Sequence, residues 1–129
     1  MSPRVVGIGG IFFKARDPER LRAWYREHLG LAIGDWGSVQ FEGRTSSPAG
    51  RPASLVWTIF PESTRYFEPG TASFMINYRV DDLDAVLGAL RREGCEVDER
   101  TESSEYGRFG WVADPEGNRL ELWEPPKGG

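Results

Sequence analysis

Asp114-Pro115-Glu116-Gly117-Asn118-Arg119-Leu120-Glu121-Leu122-Trp123-Glu124 decides how the rest of the chain is read. Proline fixes φ and glycine accepts positive φ, so Asp-Pro-Glu-Gly supplies a tight turn, and the residues after it alternate as a strand requires. The stretch predicts a hairpin. In its second strand Leu120 and Leu122 share one face, while Arg119, Glu121 and Trp123 share the other. A carboxylate therefore stands on the same face as an indole, and the chemistry of the chain turns on what that carboxylate meets.

Upstream, one pattern occurs twice. Residues 8–15 are apolar β-formers and predict the first strand. Asp17, Pro18 and Glu19 then give an N-cap, a proline at the first helical position and an acid in the first turn; Leu21, Trp24, Tyr25 and Leu29 recur at helical spacing, and Gly30 closes the helix. Residues 31–41 suggest two brief strands, 45–52 a loop, and 54–60 a strong strand stopped by Pro61. Residues 61–72 are too long and too polar for a hairpin and predict a crossover.

The pattern then restarts with a strand at 73–80, caps at Asp81 and Asp82, a helical stripe of Leu83, Val86, Leu87 and Leu90, a terminating Gly94 and a strand beginning at Cys95. A polar loop at 101–107 and a strand at 109–113 lead into the hairpin. Strand, Asp cap, helix and glycine recur about 64 or 65 residues apart, the mark of an internal duplication. Each half reads βαβββ, module one spanning about 7–60 and module two about 73–125.

A chain of 129 residues predicts one domain with its own core. A net charge of −4 with both signs interspersed points away from nucleic acid and from an anionic membrane surface as partners. Five Trp, seven Phe and four Tyr exceed what a minimal core needs, and a ligand pocket is one place for the surplus. The single cysteine, Cys95, excludes an internal disulfide and reads as a small buried apolar residue in a reducing compartment. Neither a signal-peptide core nor an apolar run of membrane-spanning length is present, so a soluble cytoplasmic protein is expected.

The D-P-E-G-N turn feeding an L-E-L strand resembles the last hairpin of the vicinal oxygen chelate superfamily, which includes glyoxalase I, extradiol dioxygenases, fosfomycin-modifying enzymes and bleomycin-resistance proteins. The resemblance runs from Gly7 to Pro126. It implies an α+β fold in which two tandem βαβββ modules curl an eight-stranded open sheet around a central hollow, and it implies a homodimer. The function it implies is broader, because this scaffold carries several chemistries and pure binding roles.

In metal-binding members of the superfamily, ligands come from the first, fourth, fifth and eighth strands. The corresponding positions here are Gly10, Trp57 or its neighbour Thr58, Met75 and Glu121, so only Glu121 matches. His28, the single histidine, falls late in the first helix. The resemblance therefore implies a hollow without a catalytic metal. In the family register Phe12, Lys14, Asn77, Arg79, Phe109, Trp111 and Trp123 also face inward.

A cation from Lys14 or Arg79 is expected beside Glu121, either as an internal ion pair or as the group that holds a ligand, with Glu121 acting as base or acceptor. Trp57, Trp111 and Trp123 suggest an aromatic wall. Tyr106 and Arg108, flanking Gly107, offer either stacking and hydrogen bonds to a flat ligand or an ordinary loop entering a strand. Tyr66 and Phe67, in the crossover, either cover the hollow or meet a partner chain.

Three functions follow: a metal-free small-molecule binding protein, a lyase, isomerase or dioxygenase-like enzyme, and a dimeric interaction module without ligand. An open hollow favours the first two. A hollow plugged by its own side chains favours the third.

Overall fold

The computed structural model describes residues 4–34, 37–46 and 52–126. Its elements are β1 (Val5–Ala15), α1 (Pro18–Leu29), β2 (Ser38–Ser46), β3 (Pro52–Pro61), β4 (Phe74–Val80), α2 (Leu83–Arg92), β5 (Glu96–Ser104), β6 (Gly107–Ala113) and β7 (Arg119–Glu124). The strands form one sheet in the order β2-β3-β1-β4-β7-β6-β5. β1 and β4 meet antiparallel at its centre. Each also has a parallel neighbour from its own half of the chain, β3 for β1 and β7 for β4. The strand order outward from the central pair is therefore the same on both sides, as the duplicated pattern predicts.

Both helices begin and end where the local chemistry dictates. Asp17 accepts from the Arg20 N–H at 3.1 Å, Pro18 opens α1, and Gly30 takes the left-handed conformation (φ 67°) with its N–H on the Arg26 carbonyl. In α2 Asp82 accepts from the Ala85 N–H at 3.1 Å, and Glu124 of β7 accepts from the Leu83 N–H at 2.8 Å. The last hairpin closes on Asp114, whose side chain accepts from the N–H groups of Glu116 and Asn118, while Gly117 takes φ 82°.

Seven strands are present among the described residues where eight were expected. The shortfall lies in residues 31–41, which hold the start of β2 in place of two brief strands; residues 35–36 lie outside the described part, as do 47–51 of the expected loop. Of the expected loop at 101–107, residues 101–104 are instead the outer part of β5, with Thr101 opposite Gly110 and Ser104 opposite Gly107. This is an edge strand of charged and hydroxylic residues exposed from Arg100 to Ser104. With neither face buried there is no alternation to read, and polar edges are a common defence against unwanted pairing.

The helix-bearing face of the sheet carries one core, in which Val80, Leu83, Val86, Leu87, Val112 and Leu122 pack together under α2. α1 covers its half more thinly. It has no buried residue, Trp24 and Leu29 are 48% and 60% exposed, and Tyr25 makes its edge-on contacts with Phe13 and Trp57. The opposite face carries a second cluster of Phe67, Met75 and Trp111 with Phe12, Phe60, Tyr66 and Phe109 around them. Phe67 and Tyr66 come from the crossover, so that segment enters the hollow. Cys95, expected buried, is exposed, because it falls in the link from α2 to the edge strand.

Two glycines test this packing with opposite signs. A Cβ on Gly110 would stand 2.9 Å from Leu87 Cδ1, which is locked in the α2 core, so Gly110→Ala is expected to cost about 1–3 kcal/mol. On Gly88, inside α2, the nearest atom is the movable end of Arg92 at 3.4 Å, and Gly88→Ala is expected to stabilise by roughly 0.5–1 kcal/mol. Urea denaturation of both variants checks the pair; a neutral Gly110→Ala would contradict the close approach of β6 to α2.

Candidate functional site

Glu121 of β7 pairs with Asn77 of β4 on one side and Trp111 of β6 on the other. Laterally paired residues project from the same face of a sheet. The register alone therefore brings amide, carboxylate and indole into one row across the hollow. Asn77 Nδ2 donates to Glu121 Oε1 at 2.6 Å and Trp111 Nε1 donates to Oε2 at 2.9 Å. The Tyr66 hydroxyl, reaching in from the crossover, also donates to Oε2. Glu121 is 2% exposed.

Burial raises the Glu121 carboxyl above the usual carboxylate range, and the three donors and the charge of Arg119 only partly oppose it. Tyr66 is pushed far above its ordinary value, first by burial and then by the neighbouring Glu121, which keeps the phenol protonated and donating. Gly9 makes room for the row. A Cβ there would lie 2.3 Å from Asn77 Oδ1 and 2.7 Å from the Trp123 ring, and the bulge between Ile8 and Gly10 is what turns Gly9 toward them.

The donor set does not fit a divalent cation. Both carboxylate oxygens receive N–H or O–H donors, an indole nitrogen has no lone pair to give a metal, and Met75 and Gly10 offer no hard ligand. Among the described residues no group of three His, Cys, Asp or Glu is placed to hold a metal ion. His28 is exposed on α1 beside Trp24.

The cations expected beside Glu121 are elsewhere. Lys14 Nζ stands over the Phe67 ring at 5.4 Å, and the Arg79 guanidinium over the Trp123 ring at 5.8 Å. Their place at the carboxylate is taken by neutral donors. Trp57 points away from the hollow, packed edge-on against Phe13 and Tyr25 beneath α1, so Thr58 is the inward residue of β3. Arg108 also faces outward and forms a bidentate pair with Asp84 of α2, both contacts 2.9 Å. Tyr106 is 66% exposed in the β5–β6 turn, where its carbonyl accepts from Trp123 Nε1 at 2.7 Å. Trp123 lies inward but is stacked on Phe109.

Among the described residues, space remains on the β5–β6–β7 side, against Trp111 and Tyr66, two of the groups that bond Glu121. Two cavities, of about 390 and about 350 Å³, share Pro69, Asp98, Trp111 and Arg119. The first extends to Cys95 and Gly70, the second to Tyr66, Arg100 and Glu102. Arg119 lies at their junction. Its guanidinium stands 4.8 Å over Trp111 and 6.0 Å over Tyr66, and its Nη1 donates to Asp98 Oδ2 at 3.3 Å. Its Nε is buried without an acceptor among the described residues. Sequence reading placed Arg119 on the inward face yet passed over it as a ligand residue; sharing the parity of Glu121 was the available signal.

A family model described as a glyoxalase-like domain matches residues 10–123. The chain belongs to this family, and with it to the vicinal oxygen chelate superfamily. No curated protein matches the sequence. Methylmalonyl-CoA epimerase from Mycobacterium tuberculosis superposes with a TM-score of 0.60 at 22% identity, over 98% of this chain and 92% of that one. A Streptomyces coelicolor methylmalonyl-CoA epimerase variant in complex with 2-nitronate-propionyl-CoA gives 0.62 at 16% identity, over 94% and 98%. A glyoxalase/bleomycin resistance protein/dioxygenase superfamily member from Vibrio splendidus 12B01 gives 0.59 at 12% identity, over 91% and 97%. At these identities the likeness is one of fold.

The carboxylate row generates a contrast between two variants. Glu121→Leu strands three donors and is expected to cost about 3 kcal/mol or more, whereas Glu121→Gln keeps an acceptor for Tyr66 and Trp111, and Asn77 Oδ1, which has no partner among the described residues, can take its amide once the Asn77 amide flips. Between the unfolded carboxyl value and the raised folded one, the native state binds more protons. The Glu121 contribution to stability therefore falls as pH rises through that window. Urea midpoints across acid to neutral pH are expected to show that slope in the wild type and to lose it in Glu121→Gln.

Proposed function

We propose that the chain is a small-molecule binding protein of the glyoxalase and bleomycin-resistance type that works without a catalytic metal. On this reading it is a single domain of two βαβββ-like halves. The observation that carries it is the displaced space: the centre of the hollow is filled by Tyr66, Phe67, Met75 and Trp111, while about 390 and about 350 Å³ remain beside Arg119. The filled centre taken alone favours an interaction module. The two adjoining cavities, which share Trp111 and Arg119 and so set an aromatic ring beside a cation, favour a ligand.

A homodimer belongs to the same proposal. Val5, Ile8, Ile11 and Phe74 leave exposed apolar surface on β1 and β4 at the middle of the sheet. The lone Cys95 suits a reducing, cytoplasmic setting. No helix among the described residues is long and apolar enough to cross a membrane.

A second reading, an isomerase-like enzyme, is favoured by one observation: a carboxyl raised above its usual range by burial and hydrogen-bonded to a phenol has the make-up of a general acid or base. Two of the structural relatives are named as epimerases. That role requires Tyr66 and Phe67 to leave the hollow, since Glu121 is 2% exposed.

Thermal-shift and tryptophan-fluorescence titrations of EDTA-treated protein against small aromatic and carbonyl compounds separate the readings. Binding without added metal, with Trp111→Ala weakened by roughly tenfold or more, is the expected result. Binding that appears only with a divalent cation, or solvent-deuterium incorporation into a bound carbonyl compound, would overturn the first reading in favour of an enzyme.

A further inference from the structure

We propose that Arg119 anchors the acidic group of a monoanionic organic acid, a carboxylate rather than a phosphate ester, in the trough formed by the two cavities. This rests on the small-molecule reading above and names the ligand class. Among the described residues the guanidinium is the one group that both cavities share and that also carries unmet hydrogen-bonding capacity. Its Nε is buried without an acceptor there, a state that is unfavourable unless something else fills it.

The existing partner does not satisfy Arg119. Asp98 is met through Nη1 alone, at 3.3 Å, whereas a guanidinium and a carboxylate pair best through two parallel bonds. The Nε–Nη2 edge is left for such a fork: Nη2 makes no hydrogen bond among the described residues, and a carboxylate that reaches it completes the fork by displacing the side chains that cover Nε. Trp111 lies against the guanidinium at 4.8 Å and fixes its plane, so the edge is held before any ligand arrives.

Charge around the trough sets the valence of the acid. Arg65, Arg100 and Arg119 pair with Glu68, Glu102 and Asp98 at 3.3, 3.0 and 3.3 Å, and Glu96 adds a fourth carboxylate to the lining. The lining therefore carries a slight excess of negative charge. A single negative charge can be met by the Arg119 fork, while a dianionic phosphate ester brings twice the charge against four carboxylates with no surplus cation.

The probes are benzoate, phenyl phosphate and benzyl alcohol, titrated into the ¹⁵N-labelled full chain while the Arg Nε–H and Trp Nε1–H resonances are followed. Benzoate is expected to shift Arg119 Nε–H and Trp111 Nε1–H together, with benzyl alcohol leaving Arg119 unmoved and phenyl phosphate binding more weakly than benzoate. Arg119→Lys keeps the charge but removes the fork, and is expected to weaken benzoate by roughly tenfold or more. Equal responses to benzoate and benzyl alcohol would overturn the acid anchor while leaving a small-molecule trough in place. Tighter binding of phenyl phosphate, or shifts confined to Arg65 and Arg100, would overturn the assignment as well. If none of the three probes moves either resonance, the trough reading and the anchor fall together.

Discussion

A carboxylate shut inside a sheet has to be satisfied, and in this chain neutral groups do it. Asn77, Trp111 and Tyr66 converge on Glu121 from two neighbouring strands and the crossover. Two of the three are placed by β-register, so the row forms as the sheet forms. The third requires the crossover to come down into the hollow. Tyr66 therefore links sheet chemistry to loop position, and Phe67 follows it to 1% exposure against Met75 and Trp111. The segment that joins the two halves becomes part of the core.

Among the described residues two cavities lie toward β5 and β6, and Arg119, two residues before Glu121 on the same strand face, lines both. The family scaffold is retained, and Glu121 within it is hydrogen-bonded on both carboxylate oxygens. Lys14 and Arg79 lie over Phe67 and Trp123.

Much of this was legible in the sequence where local chemistry fixes the answer. The Asp114 turn, the Asp17 and Asp82 caps, Gly30 and the spacing of the two helices appear as read, because each depends on a few adjacent residues. The parity of Leu120, Glu121 and Leu122 held for the same reason. Parity failed at Trp57, where a large apolar ring suits either face and packing under α1 chose the outer one. It gave no help with residues 101–104, which bury neither face. The partners of Glu121 were misread in kind: opposite charge is the obvious remedy for a buried carboxylate, but three neutral donors at shorter reach serve equally, and only the register reveals them. Tyr66 lies 55 residues from Glu121, with no periodicity connecting them.

The most direct test is the titration of the Glu121 carboxyl itself, by ¹³C NMR of glutamate-labelled protein with Glu121→Gln as the assignment control. A carboxylate buried among neutral donors is predicted to titrate above the ordinary glutamate range and to keep its resonance unchanged when zinc or manganese is added. A midpoint at or below the ordinary range would show that burial does not dominate at this carboxylate, and a metal-dependent shift would show that the plug opens to an ion; either result would contradict the account.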